Sequence, residues 1–172
     1  KEGFPMIRPV TEKDIPACVE VIRKSFLTVA EEFHFTKENA PRFTAFSVDE
    51  GRLSDQLHVE HRPMYAYVDG DKIVGYYSLF SEGNNACELN NLAVLPAYRH
   101  KGIGKQLLEH AEKTAAALHC TVMHIGIVEE NRVLRRWYEK NGAVHTGTKK
   151  FDFFPFTCGY LQVPLPKITE ER

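Results

Sequence analysis

No stretch of this 172-residue sequence approaches the roughly 18 consecutive apolar residues that a membrane-spanning helix needs. A helical membrane protein is thereby excluded. The opening Lys1-Glu2-Gly3-Phe4-Pro5 has no apolar core of a secretory signal. Cysteine is sparse: Cys18, Cys87, Cys120 and Cys158 stand far apart, with no C-x-x-C pair. That argues against a zinc ribbon or a disulfide framework. Reduced cysteines filling gaps in a core are expected instead, which points to the cytoplasm. No sign of charge dominates, since 22 Lys and Arg balance 23 Asp and Glu for a formal net charge of −1. A dedicated nucleic-acid binder with a strong global field is disfavoured, although a local basic pocket is not. His34, His58, His61 and His145 show no H-x-x-x-H spacing, so no metal site is expected. There is no internal repeat, low-complexity tract or Gly/Ser-rich linker. A single domain over residues 1–172 follows, long enough to bury a core unaided.

What is present is a mixture of strand and helix patterns. Met6 to Val10 reads as a short strand. Thr11 then caps a helix with acids in its first turn and Ile15, Val19, Ile22 and Phe26 at helical spacing. Between residues 28 and 62, Thr36-Lys37-Glu38 predicts a second helix limited by Pro41, and Arg52 to His58 a third. From Met64 the pattern changes. Met64 to Val68 and Ile73 to Phe80 form a hairpin about Asp69-Gly70-Asp71, and a strand from Ala86 to Leu95 follows a turn over Ser81 to Asn85. A helix over Gly102 to His119 carries the stripe Ile103, Leu107, Leu108, Ala111, Ala115 and Leu118. Thr121 to Val128 is a further strand. Asn131 caps a helix with Val133, Leu134, Trp137 and Tyr138 on one side, ended by Gly142. Two terminal strands lie near Ala143 to Phe151 and Phe156 to Val163. The class is mixed α/β, a central mixed sheet flanked by helices.

The segment Leu92-Ala93-Val94-Leu95-Pro96-Ala97-Tyr98-Arg99-His100-Lys101-Gly102-Ile103-Gly104-Lys105 carries the most chemistry. An apolar strand enters a glycine-containing turn that opens an amphipathic helix. Gly102 and Gly104 permit close approach of a ligand, and the unpaired N–H groups of the helix start favour an anion such as phosphate. Arg99, His100, Lys101 and Lys105 add positive charge. Neither G-x-x-x-x-G-K-[ST] nor G-x-G-x-x-G is present, which argues against ATP hydrolysis and against Rossmann-type dinucleotide binding.

Arg99-His100-Lys101-Gly102-Ile103-Gly104 resembles the [Q/R]-x-x-G-x-[G/A] signature of the GNAT acetyltransferase superfamily. Asn131 to Ala143 is similar to that family's N-x-x-A-x-x-[L/F]-Y-x-K-x-G-F segment, departing at the packing positions Val133-Leu134 and Ala143. The element order from Ile7 to Val163 agrees as well. The resemblance implies a GNAT-like acyl-CoA N-acyltransferase fold and acetyl-CoA as cosubstrate, with no metal. Backbone amides from Arg99 to Lys105 would hold the pyrophosphate. The main chain of Leu92, Ala93 and Val94 would pair with the pantetheine arm as an added strand, in a gap between Ala86–Leu95 and Thr121–Val128. Asn131 would both cap its helix and contact the coenzyme.

By the same resemblance, Glu88 is the candidate base for the acceptor amine, with His124 and Asp152 as alternatives; a surface glutamate fits Glu88 equally on the residues alone. Tyr138 is the candidate acid for the departing thiolate, although it shares a helix face with Leu134 as a core aromatic would. The acceptor site falls on Ser25 to His61 and Phe151 to Tyr160. There Glu31, Glu32, Glu38, Asp49 and Glu50 offer an acidic mouth, or a solvated face, and Phe26, Phe33, Phe35, Phe43 and Phe46 an apolar wall. A small-molecule primary amine is the leading acceptor, with no nucleic-acid or membrane partner. A peptide amine and a non-catalytic coenzyme-binding module are the alternatives. The family often dimerises, so a homodimer stays open.

Overall fold

The computed structural model describes residues 3–167; Lys1, Glu2 and residues 168–172 of the expected 1–172 domain lie outside the described residues. The elements follow in the order β1 (Met6–Pro9), α1 (Ile15–Phe33), α2 (Thr44–Ser47), α3 (Glu50–His58), β2 (Met64–Asp69), β3 (Lys72–Gly83), β4 (Ala86–Val94), α4 (Ile103–Ala117), β5 (Val122–Val128), α5 (Arg132–Lys140), β6 (Val144–Lys150) and β7 (Thr157–Pro164). The described strands form one sheet of seven in the order β1-β2-β3-β4-β5-β7-β6. All neighbours are antiparallel except β4 and β5, which the crossover through α4 makes parallel.

The centre of β3 explains the layering. Ile73 through Leu79 are all buried, a continuous run rather than an alternation, so both faces of the sheet are covered there. One face takes α4: a Cβ on Gly75 would meet Leu107 and Ile103, and the Tyr77 hydroxyl lies 2.7 Å from His110 Nδ1. The other face takes α1, whose Cys18, Val19 and Ile22 are buried in the same core. The start of α1 is fixed by a two-pronged ion pair. Arg8 donates to both carboxylate oxygens of Asp14 at 2.7 and 2.9 Å, and Thr11 donates to Asp14 as well. Asp14 is consequently held down to about 2, chiefly by the Arg8 hydrogen bond.

Several expectations need correcting. Thr11 precedes a single 3-10 turn over Glu12–Asp14, and α1 proper begins at Ile15 with Pro16 in its first turn. Thr36-Lys37-Glu38 opens no helix. Thr36 N–H donates to Asn39 Oδ1 and Asn39 N–H to Thr36 Oγ1, a local exchange that closes a turn instead. Strand β3 runs on to Gly83, so the turn narrows to Asn84-Asn85. Leu118 lies past the last turn of α4 and is 55% exposed, and Val133 is 76% exposed on the outer side of α5. Neither belongs to its expected stripe. Cys18, Cys87 and Cys120 are free and buried, as expected of gap-fillers.

Candidate active site

The loop between β4 and α4 is built to leave amides free. Leu95 N–H closes the strand end on Val74 O at 2.8 Å, and Pro96–Tyr98 makes one 3-10 turn. His100 and Gly102 then both take left-handed φ, 62° and 79°, and α4 starts without a side-chain cap. The first bond of the helix is Gln106 N–H to Gly102 O. The amides of His100 to Lys105 therefore find no partner among the described residues. Orphan donors at a helix start, aligned with its dipole, form an anion site. The exposed His100, Lys101 and Lys105 surround them, Lys101 lying 5.1 Å from the Tyr98 ring.

One of the expected roles in this loop, the positive charge of Arg99, differs in the structure. The Arg99 side chain turns inward and donates to Ser25 O, Ser25 Oγ and Thr28 Oγ1 of α1 at 3.1–3.3 Å. Its charge ties the loop to α1 rather than adding to the anion site; the Arg99 backbone, bonded to Pro96 O, stays in the loop. Gly104 faces Trp137: a Cβ there would touch the indole at 3.4 Å and Val94 at 4.0 Å. Ile103 is buried beneath them, so only its amide faces the loop.

The sheet opens beside this loop. Strands β4 and β5 pair from Ala86↔Val122 to Leu89↔Ile125 and no further, although β4 continues to Val94 and β5 to Val128. Beyond that point β5 stays with β7, down to Val128↔Cys158. Strand β4 stays with β3 through an irregularity between Asn90 and Ala93, where Asn91 takes φ 54°. The β5-facing edge of β4, including Leu92, Ala93 and Val94, is left without ladder partners. An extended arm can add there as a strand.

Glu88 and His124 are opposite each other in the last-but-one pair before the opening. Across the sheet they belong to one row, Phe80↔Glu88↔His124↔Gln162. Helices do not fully cover this row: Phe80 is 39% exposed and Glu88 half-buried. Burial raises the Glu88 carboxyl above its ordinary range, and Glu82 adds to the rise, while Arg62 and His124 oppose it. Glu82 in turn accepts from His124 Nδ1 at 2.7 Å, and the Arg62 guanidinium lies 4.6 Å from the Phe80 ring. Glu82, Arg62, Phe80 and Gln162 escaped the sequence reading. Strand alternation carried no dependable signal for Phe80 and Glu82, because the β3 ladder is irregular between Ser81 and Gly83. Asp152 lies in the exposed turn after β6 and has no hydrogen bond or ion pair with this row.

Tyr138 is buried on α5, with its ring edge-on to Trp137 at 5.0 Å. Because Trp137 rests on Gly104, α5 packs beside the start of α4, on the opposite side of the sheet from Glu88. Burial raises the Tyr138 phenol well above its ordinary value, so it stays protonated. The hydroxyl makes no hydrogen bond among the described residues, and the residue as a whole keeps only 5% exposure. Asn131 caps α5 through its Oδ1, which accepts from Leu134 N–H at 3.2 Å. Its side-chain amide is left uncommitted.

The two segments expected to wall the acceptor do meet. Phe35 and Phe43 pack on Phe156 with ring centres 4.9 and 5.9 Å apart, and Phe154 stacks on Phe156. With Val128 at the end of β5 they form a satellite cluster, to which Phe26, Phe33 and Phe46 add partly buried rings. Glu31, Glu32, Glu38, Asp49 and Glu50 are all exposed, and Asp49 caps α3 on Arg52 N–H.

A mixed sheet opened between its two parallel strands, with an uncapped helix start at the mouth, defines an acyltransferase of the coenzyme-A-dependent kind. The acetyltransferase (GNAT) family model matches residues 24–143. The chain belongs to that family, and its class is N-acetyltransferase. It is 26% identical over 145 residues to an uncharacterised N-acetyltransferase of Lactobacillus delbrueckii subsp. lactis, covering 77% of this chain and 80% of that one. In fold it resembles the PaiA N-acetyltransferase of Thermoplasma acidophilum, whose structure contains coenzyme A. The TM-score is 0.80 at 20% identity, covering 94% of this chain and 99% of that one. It also resembles a ribosomal-protein-alanine N-acetyltransferase of Brucella melitensis, with TM-score 0.70 at 21% identity, covering 93% and 99%.

Proposed function

We propose that the protein transfers an acetyl group from acetyl-CoA to the primary amine of a small molecule, by direct attack within a ternary complex. The observation that carries this reading is the parting of β4 and β5 immediately after Glu88 and His124, beside the unpartnered amides of His100 to Lys105. These residues fit the coenzyme. The amides of His100 to Lys105 would take its pyrophosphate, the Arg99 amide being held by Pro96 O, the free edge of Leu92 to Val94 its pantetheine arm, and the Asn131 amide a further contact. Acetyl-CoA supplies an activated acetyl group as its thioester.

The protein supplies the proton chemistry. An alkyl ammonium has pKa about 10.4, so only about one in a few thousand is a free amine at pH 7. Glu88 takes that proton, directly or through water. Its proton affinity, raised by burial, makes it a better base than an ordinary glutamate. Tyr138, held protonated by burial, gives a proton or a strong hydrogen bond to the departing sulfur. The aromatic cluster of Phe26, Phe33, Phe46 and Phe154 offers an apolar flank for the acceptor's carbon skeleton.

A peptide amine is the second reading. Favouring it are Phe80 and Tyr160, 39% and 37% exposed, on the sheet face that carries Glu88. The Brucella structural relative is named for a ribosomal-protein alanine. A panel of small amines and short peptides, scored by release of free coenzyme A thiol, separates the two. Turnover of small amines alone supports the first reading; turnover of peptides alone overturns it in favour of the second.

A further inference from the structure

Glu88 needs a way to shed the proton it collects, and the Glu82–His124 pair answers that need. The two residues lie 42 positions apart and meet across β4. Glu82 sits at the end of β3, in the register shift between Ser81 and Gly83. Its Oε1 lies 2.7 Å from His124 Nδ1, so the contact joins β3 to β5 across the intervening β4. His124 is Glu88's partner on the parallel strand, so the imidazole is the next polar group beside the Glu88 carboxylate on that face. The His124 side chain is 41% exposed, so one edge of it is wet. Gln162 of β7 stands opposite His124, while Arg62 ahead of β2 and Tyr160 of β7 lie within electrostatic reach of Glu88.

We propose that His124 is the relay that carries the proton from Glu88 to solvent, and that Glu82 is the positioning residue that fixes its tautomer. A carboxylate accepting from Nδ1–H leaves the Nε2 lone pair as the acceptor. The same logic orients the imidazole of a Ser-His-Asp triad. This relay rests on the acetyltransferase reading given above. The acceptor ammonium gives one proton to Glu88, which passes it to His124 Nε2 and so to water. The freed nitrogen lone pair forms the C–N bond as the C–S bond breaks. The nitrogen's second proton ends, by way of Tyr138, on the sulfur.

Two measurements test it. The first is the 15N NMR signature of the His124 ring in the wild type and in Glu82→Gln. The wild type is expected to show Nδ1 protonated and Nε2 bare, and Glu82→Gln a shift towards the Nε2–H form. The second is His124→Ala, whose kcat is expected to fall about tenfold or more with the KM for acetyl-CoA unchanged. Imidazole added to the buffer is expected to restore part of that loss in proportion to its concentration, which a merely structural histidine would not allow. An Nε2–H imidazole in the wild type overturns the proposal, as does a His124→Ala variant with unchanged kcat or one indifferent to imidazole. In those cases turnover that still depends on Glu88 shows that only the relay has failed. A wild type inactive on every amine and peptide, by contrast, overturns the acetyltransferase reading and the relay with it.

Discussion

Glu88 and His124 face each other across the parallel pair β4/β5, one residue before the pairing ends at Leu89 and Ile125. The position joins two jobs. The pair sits where the backbone ladder is still intact and holds both side chains in register. It also borders the gap in which an extended arm can lie.

Replacing Glu88 by Gln tests both its chemistry and its cost. As the base it is worth about a hundredfold or more in kcat, with acetyl-CoA binding unchanged. The stability effect has the opposite sign. A carboxyl raised by burial contributes stability that is present below its unfolded value and lost as pH rises through the folded one. Glu88→Gln removes a half-buried carboxyl whose ionisation burial opposes. Thermal melts are expected to place the variant above the wild type at pH 7, with the two converging near about pH 4. A Glu88→Gln enzyme of full activity contradicts the assignment.

Tyr138→Phe removes only an oxygen from a buried ring that touches Trp137. Packing is retained, so the fold is expected to persist. Steady-state kinetics are expected to show kcat lower by about tenfold or more, with the KM for acetyl-CoA held. A loss confined to stability would make Tyr138 a core aromatic and nothing more.

The Arg8–Asp14 pair sets an acid limit on stability. Its depressed carboxyl, at about 2, contributes stability that is complete above the unfolded value and lost as pH falls towards the folded one. Asp14→Asn is expected to cost about 1–2 kcal/mol at pH 7 by denaturant unfolding. The difference from the wild type should shrink between about pH 4 and pH 2.

Gly159 on β7 has a neighbour that leaves no room for a side chain. A Cβ there would overlap Glu129 Oε2 and press on Ile127 at 3.1 Å. Glu129 is not free to swing away cheaply, because it accepts from Arg135 at 2.7 Å and lies 2.9 Å from His145 Nε2. Gly159→Ala is expected to destabilise by about 1–3 kcal/mol. Adding Glu129→Ala to that variant is expected to return part of the loss, which a double-mutant cycle reads directly. Purely additive losses would show that the overlap is not the cause.

The strands, α4 and α5 were legible in the sequence because each has a clean period and a hard stop, such as Pro96 after β4 or the asparagine that caps α5. The loop from Arg99 to Lys105 was legible for a different reason: its chemistry comes from backbone and is local. The misses are the pairings that only the fold creates. Arg99 reaches Ser25, 74 residues away, and Glu82 reaches His124 across the intervening β4. Periodicity says nothing about either. Thr36-Lys37-Glu38 failed because the Thr36–Asn39 exchange competes with a helix at the same residues. Val133 failed because a nine-residue helix offers too few turns to fix its inward face.

The most direct test of the central claim is calorimetric titration of acetyl-CoA into the wild type and into Gly104→Glu. A Cβ at Gly104 meets the Trp137 ring only at ordinary contact distance, so the variant is expected to fold, which circular dichroism verifies. Its carboxylate would repel an anion from the free amides of His100 to Lys105. Micromolar-range binding is expected for the wild type and little for the folded variant. A folded wild type that does not bind acetyl-CoA, or a folded variant that binds as tightly as the wild type, contradicts it.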